Sequence, residues 1–287
     1  MKILVTGIRG QLGYDVMKIL KSRNIEALGV SSADMDITDR ASVDRVMDGF
    51  GPDAVIHCAA WTAVDAAEDE EAACRSVNVD GTENIALACR RTGASMMYFS
   101  TDYVFGGEGT KPWKPGDETA PQSVYGRSKL DGENKVREIL PDRHFIIRLQ
   151  WVYGINGKNF VRTMLRLSET HDRLTVVADQ VGGPSYTPDI ARLACDMILT
   201  DRYGTYHAAN TGYCSWYDFS KAIFEEAGRR VEVVPVTSDQ YPAKAKRPHN
   251  SRLDTSALTE NGFRQLPPWR DALHRFIEEL KANGELK

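Results

Sequence analysis

The sequence predicts an α/β protein, a doubly wound parallel sheet followed by a smaller α/β lobe. Three observations predict it. Short apolar runs alternate with amphipathic stretches of helical period up to about residue 150. A glycine turn, Gly7-x-x-Gly10-x-x-Gly13, joins the first apolar run to the first amphipathic stretch. Beyond residue 150 the alternation loosens into short aromatic-rich segments. The expected division is therefore 1–150 for the sheet domain and 151–287 mostly for the second lobe. Segments around 172–180 and 204–228 are candidates to return to the sheet.

Composition narrows the function. The chain has 287 residues, 42% of them hydrophobic and 26% charged, enough for a sizeable core in a soluble protein. A net charge of -4 argues against nucleic acid or an anionic membrane as the main partner. No apolar run approaches the roughly 18 residues of a membrane span. The five cysteines, 58, 74, 89, 195 and 214, never take a C-x-x-C spacing, and the histidines are scattered. Both read as a reduced, cytoplasmic protein without a metal site.

Lys2–Thr6 is the first strand, and Gln11 to about Arg23 the first helix, with the glycine turn between them. Ile25–Val30 follows as the second strand. Strand, glycine turn, helix, strand is the context that a Rossmann-like dinucleotide site requires. The glycines let the backbone approach a pyrophosphate, which sits at the helix N-terminus among free N–H groups. The second strand ends in Gly29-Val30-Ser31-Ser32, with no acid to bond the ribose, and Arg9 lies inside the loop. Both favour NADPH, with NADH the alternative, although Asp34 and Asp36 follow closely. Asp36-Ile37 would flank the adenine.

Thr38-Asp39 can cap a helix that runs to Phe50, where Gly51-Pro52 stops it. Ala54–Cys58 reads as a buried strand leading to Ala59-Ala60, small residues against which a cofactor can lie. Residues 70–92 read as one long helix, with Asn78 either a buried hydrogen-bonding group or an exposed residue. Ala94–Phe99 is the fourth strand, and Ser100-Thr101-Asp102-Tyr103-Val104-Phe105 stands at its end. A Gly/Pro-rich loop leads to a helix from about Ser123 that carries Tyr125 and Lys129, one turn apart on one face. A nearby ammonium lowers the pKa of a phenol, bringing it nearer to acid–base work. Tyr14/Lys18 and Tyr217/Lys221 share that spacing, but only Tyr125 adds a strand-end hydroxyl and the cofactor sheet. His144–Leu149 is the next strand. A helix near Asn159–Glu169, a strand at Leu174–Val177 and a helix at Pro188–Leu199 follow, and Pro242–Arg252 forms a basic segment. That segment is either a solvated charge run or a grip for a substrate diphosphate.

The glycine turn, Ser-Thr-Asp-Tyr-Val-Phe and Tyr125-Gly-Arg-Ser-Lys129 together resemble the extended short-chain dehydrogenase/reductases. Thr6-Gly7-x-x-Gly10-Gln11-Leu12-Gly13, Thr62-Ala63-Val64-Asp65, Trp151-Val152-Tyr153-Gly154, Asn159-Phe160 and Lys246-Arg247-Pro248 narrow this. With them the chain is similar, over nearly its whole length, to the dTDP-4-dehydrorhamnose reductase family. The resemblance implies reduction of the 4-keto group of dTDP-4-dehydro-L-rhamnose by NADPH. It implies catalysis by Thr101, Tyr125 and Lys129, with Tyr125 protonating the carbonyl oxygen, Thr101 holding that oxygen, and Lys129 lowering the pKa of Tyr125 and bonding the nicotinamide ribose. Cofactor contacts would fall at Gly7, Arg9, Gly10, Gln11, Leu12, Ser31, Asp36, Ile37, Ala59 and Ala60, besides Tyr125 and Lys129. Substrate contacts would fall at Thr62, Val64, Thr101, Asp102, Val104, Tyr125, Trp151, Asn159 and Arg247. Gly106 and Leu149-Gln150 depart from the family pattern near the sugar pocket. Asp15 stands where some members place a glutamate that binds magnesium at a dimer contact, so no metal dependence is expected; a homodimer is the expected assembly. Two other readings remain open: a nucleotide-sugar epimerase or dehydratase, and a non-catalytic subunit like the regulatory β subunit of methionine adenosyltransferase.

Overall fold

The computed structural model describes residues 1–241 and 243–286; Pro242, in the basic segment, and Lys287 lie outside the described residues. The strands are β1 (Lys2–Thr6), β2 (Glu26–Val30), β3 (Ala54–His57), β4 (Ser95–Thr101), β5 (His144–Leu149), β6 (Arg173–Val177), β7 (Gly204–His207) and β8 (Glu232–Val236). Several two-residue strands join them. The main sheet has the order β7-β5-β4-β3-β1-β2 and is parallel throughout. Parallel strands need crossovers, and the helices that provide them cover both faces.

The pleat sends alternate residues to opposite cores. Ile3, Val5, Ile56 and Met97 pack with Val16 and Leu20 of the helix Gln11–Ser22. Leu4, Val55, Met96 and Tyr98 pack instead with Val43 and Met47 of Arg40–Phe50 and Ile85 of Gly81–Thr92. Arg40–Phe50 begins and ends as the sequence indicates. The Asp39 carboxylate accepts from the Ala41 amide at 3.0 Å, and Gly51 closes the helix at φ +63°. The single long helix expected over 70–92 is instead a helix from Glu71, a π turn at Ser76–Asp80 and the helix Gly81–Thr92.

The second half both builds its own lobe and completes the first. Thr187–Met197 packs Ile190, Ala191 and Ala194 into the same core as β1. Gly204–His207 joins the main sheet as its edge, beside β5. Residues 172–180 do not return there: β6 pairs in parallel with β8, five residues each, in a separate two-stranded sheet. The lobe has a separate core in which Tyr153, Phe219, Ile223, Trp269 and Phe276 are buried. A three-stranded patch, Cys214–Ser215, Val181–Gly182 and Asn250–Ser251, sets the end of the basic segment beside the loop after β5.

Candidate active site

The glycine turn forms a cradle that admits backbone only. Gly7 has φ +70°, and a Cβ there would lie 2.6 Å from the Ala59 amide nitrogen; one at Gly13 would lie 2.5 Å from the Gly7 carbonyl oxygen. Gly10 caps the helix Gln11–Ser22 without a side-chain bond, and no acid occupies the first turn. Its free N–H groups and positive dipole end are thus left for an anion. A cavity of about 300 Å³ opens here, beyond the ends of the strands. Gly7, Arg9, Gly10, Ser31, Asp36, Ile37, Ala59 and Ala60 all line it. The cradle and its donors fit a dinucleotide pyrophosphate.

Two expected cofactor residues turn only their side chains elsewhere, since their amides belong to the free first turn of the helix. Gln11 turns its amide oxygen to the Gly154 amide and the Asn159 side chain, both at 2.9 Å, tying the glycine helix to the second lobe. Leu12 packs against the core under β1. The serines at the end of β2 are also not all free. The Ser31 hydroxyl and amide donate to the Asp34 carboxylate at 2.7 and 2.8 Å, and these bonds hold Asp34 below the usual carboxylate range. An acid absent from Gly29–Ser32 therefore reaches back to that strand end. Ser32 and Arg9 remain in the cavity wall.

The helix Val124–Ile139 starts at Ser123, whose hydroxyl accepts from the Gly126 amide at 3.1 Å. Gly126 and Gly132 leave no room for a Cβ against Tyr103 and Tyr98, so the helix lies close on the end of β4. Tyr125 meets Tyr103 edge-on at 5.6 Å. Thr101 donates its hydroxyl to Asp102 Oδ1 at 3.0 Å and accepts from the Tyr103 amide at 3.2 Å. Ser251 donates to Asp102 Oδ2 at 2.5 Å. Burial pushes the Asp102 carboxyl up to about 6, against the bonds from Ser251 and Thr101.

Lys129 is only 2% exposed, with its ammonium 4.0 Å from the centre of the Tyr98 ring. Burial brings it down to about 7, opposed by the Glu133 carboxylate. Lys129 is not among the leading influences on the Tyr125 phenol. Burial raises the phenol well above its usual value, opposed chiefly by the neighbouring Thr101 side chain. A phenol so placed stays protonated at neutral pH.

Asn78 is buried, in the π turn. Its carboxamide oxygen accepts from the Trp61 amide at 2.8 Å, and its nitrogen donates to the Ser128 hydroxyl at 3.0 Å. Ser128 in turn donates to the Tyr125 carbonyl at 2.8 Å. The π turn thus aims a polar side chain at the helix that carries Tyr125 and Lys129.

A second cavity, of about 700 Å³, lies between the lobe and the strand ends. Trp151 lines it at φ +46°, a conformation that bulky residues rarely adopt. Its ring stacks on Trp216 with centroids 3.5 Å apart, and Phe160 leans on Trp216 at 4.4 Å. Arg247 also lines the cavity, donating to Asp65 Oδ2 at 2.6 Å and to the Tyr103 hydroxyl at 3.4 Å. In the basic segment Lys244 pairs with Asp69, and Lys246 lies 3.9 Å from Glu108, both at the exposed surface.

Of the other expected substrate residues, Asn159 caps the helix Phe160–Leu167 through the Arg162 amide, and Thr62 is exposed. Val64 opens the short helix Val64–Ala67. Val104 is wholly buried with Phe105 and Leu253, because the 3-10 turn Asp102–Val104 rotates it inward. Sequence reasoning missed Trp216, Tyr103 and Ser251. Trp216 had a signal, an aromatic at the start of an amphipathic helix, which reads equally as core; Ser251 had none. Asp15 is buried, accepting from Thr187 Oγ1 at 2.6 Å. Among the described residues, no group of three His, Cys, Asp or Glu side chains could hold a metal, and no helix is long and apolar enough to cross a membrane.

A dinucleotide cradle, a half-buried tyrosine one turn from a buried lysine, and an aromatic cavity define a short-chain dehydrogenase/reductase with a bulky substrate. Comparison narrows the class. The family model for the RmlD substrate binding domain matches residues 1–282. The spore coat polysaccharide biosynthesis protein SpsK of Bacillus subtilis is 41% identical, over 97% of each chain. The crystal structure of a dTDP-4-dehydrorhamnose reductase from Clostridium acetobutylicum superposes with a TM-score of 0.95 at 42% identity, covering 98% of this chain and 100% of that one. That of Bacillus anthracis, solved in complex with NADP, gives 0.94 at 40%, covering 97% and 99%. The chain belongs to the dTDP-4-dehydrorhamnose reductase family.

Proposed function

We propose that this protein reduces the 4-keto group of dTDP-4-dehydro-L-rhamnose to a hydroxyl, with NADPH, giving dTDP-L-rhamnose. The observation that carries the reading is that Tyr125 packs on Tyr103, a wall of the aromatic cavity, from the same helix whose Lys129 is buried over Tyr98 of β4. Gly7, Gly10 and Arg9 would hold the dinucleotide phosphates, and Lys129 would reach the ribose beside the nicotinamide. The bound cofactor supplies the hydride.

The chain's own groups do the rest. Tyr125 gives its phenolic proton to the carbonyl oxygen as negative charge develops there. Thr101, whose hydroxyl donates to Asp102, would stand beside the carbonyl oxygen. Trp151, backed by Trp216, would form a wall for the deoxysugar, and Arg247 would meet the diphosphate once the Asp65 carboxylate yields. The same reading places the protein in the cytosol, in keeping with its five unpaired cysteines.

The test is loss of the reduced nicotinamide's absorbance on adding dTDP-4-dehydro-L-rhamnose, repeated with NADH. Oxidation with formation of dTDP-L-rhamnose is expected, faster with NADPH. Bound NADPH that is not oxidised by this sugar would contradict the reading.

A further inference from the structure

Tyr125 is the second residue of the helix Val124–Ile139, so its phenol goes where the first turn of that helix goes. The chain reaches that turn through residues 105–123, a loop without helix or regular strand. The Ser123 cap is local and travels with the helix. A residue far along the chain ties the turn down: Glu68 Oε1 accepts from the Val124 amide at 2.9 Å, across 56 positions. A carboxylate there meets both an otherwise unpaired N–H and the positive end of the helix dipole.

An anchor positions a helix only if it is held itself. Glu68 ends the short helix Val64–Ala67. Asp65, on that helix, accepts from the Ala245 amide at 3.1 Å and from Arg247 at 2.6 Å. Upstream, Asn78 accepts from the Trp61 amide at 2.8 Å and donates to the Trp61 carbonyl at 3.1 Å. Ala67, Cys74 and Val124 are buried together, and Trp61 and Tyr125 pack against them. On Tyr103 the helix start has no slack, since a Cβ at Gly126 would strike that residue's backbone.

We propose that Glu68 is a positioning residue for the reduction: by holding the Val124 amide it sets the Tyr125 phenol within reach of the substrate's carbonyl oxygen. The inference rests on the reading of Tyr125 as the proton donor. Glu68 lines neither cavity, so it acts through the helix and not on substrate or cofactor. A donor must stand about 2.6–3.2 Å from the atom it protonates, and a misplacement of about 1 Å can cost about 10²-fold. The short helix Val64–Ala67 and its last carboxylate therefore serve both ends of the substrate. Asp65 holds the arginine of the large cavity, and Glu68 holds the start of the helix that carries the proton donor.

The test measures kcat and KM for dTDP-4-dehydro-L-rhamnose at saturating NADPH in variants of Glu68. Glu68→Ala removes the acceptor, so kcat should fall about tenfold to a hundredfold while KM changes less than about threefold and NADPH binds as before. Glu68→Gln keeps an oxygen that can accept the same bond, and its kcat should return to within about threefold of wild type. Asp69→Asn takes a carboxylate from the next position, one that pairs with Lys244. Its kcat should stay within about twofold of wild type. In a Tyr125→Phe background, Glu68→Ala should lower the remaining rate by less than about twofold, because the one residue acts through the other. A lower melting temperature in Glu68→Ala with kcat unchanged would leave Glu68 a purely structural role and overturn the proposal. So would a loss that glutamine does not recover, an equal loss in Asp69→Asn, or the full further loss in the Tyr125→Phe background. Tyr125→Phe alone isolates the underlying reading: a wild-type rate there would refute the role of Tyr125, whatever Glu68 does.

Discussion

The helices Val124–Ile139 and Trp216–Glu226 carry the same tyrosine–lysine spacing and the same kind of start, a serine whose hydroxyl caps the first turn. Their surroundings differ in every respect that matters to chemistry. On the first, Lys129 is buried over Tyr98, and Tyr125 leans on Tyr103 beside Thr101. On the second, Lys221 is exposed, its ammonium 5.3 Å from the centre of the half-buried Tyr217 ring. The third pair, on Gln11–Ser22, is likewise outside: Tyr14 is 42% exposed, and Lys18 lies 3.6 Å from Glu279. Spacing puts the two side chains on one face; burial and a strand-end hydroxyl set one such face apart.

That contrast can be broken or sharpened by substitution. Tyr125→Phe should lower turnover by about 10²–10⁴-fold, the usual worth of a positioned general acid, while NADPH still binds; turnover by this variant at the wild-type rate would erase the distinction. Trp216→Ala removes the ring that Trp151 stacks on. A stacked pair is worth about 0.5–1.5 kcal/mol, so KM should rise about threefold to tenfold with kcat little changed. A fall in kcat alone would show that the stack serves the chemistry and not the sugar.

Lys129→Met should abolish turnover yet stabilise the fold at neutral pH. Lys129 falls from an ordinary 10.5 to about 7 on folding, so from pH 10.5 down to 7 the unfolded chain binds more protons than the folded one. Stability due to this group is therefore lost as pH falls through that window, and a methionine escapes the loss. The variant should melt about 2–4 °C above wild type at pH 7, an advantage that shrinks towards pH 10, as measured by calorimetry. A variant that melts lower at pH 7 would show that the buried ammonium is not a burden. Tyr217→Phe and Lys221→Met should change stability by less than about 0.5 kcal/mol and leave activity as it is.

The parts that sequence revealed are those in which neighbours in the chain are neighbours in space. The glycine turn, the Asp39 and Gly51 ends of a helix, the apolar strands and the Tyr125/Lys129 face all follow from local pattern. The parts it hid depend on distant segments. Ser251 meets Asp102 only because Asn250–Ser251 pairs with Val181–Gly182, and two-residue strands have no period to read. Trp216 stacks on Trp151 across 65 positions, since 216 − 151 = 65. Arg247 is matched by Asp65 from the other half of the chain, and Asp34 reaches back to Ser31 through a turn that composition does not betray. Gln11 lies within the glycine motif, yet its side chain serves the joint between the two lobes.

The most direct test of the contrast is titration of Lys129 by NMR in protein labelled at the lysine side chains, with its resonance assigned by absence from Lys129→Met. The account predicts a midpoint near 7 in the protein without cofactor. A midpoint near the ordinary 10.5 would mean that this lysine is as solvated as a surface one, and that burial is not what sets Tyr125 and Lys129 apart.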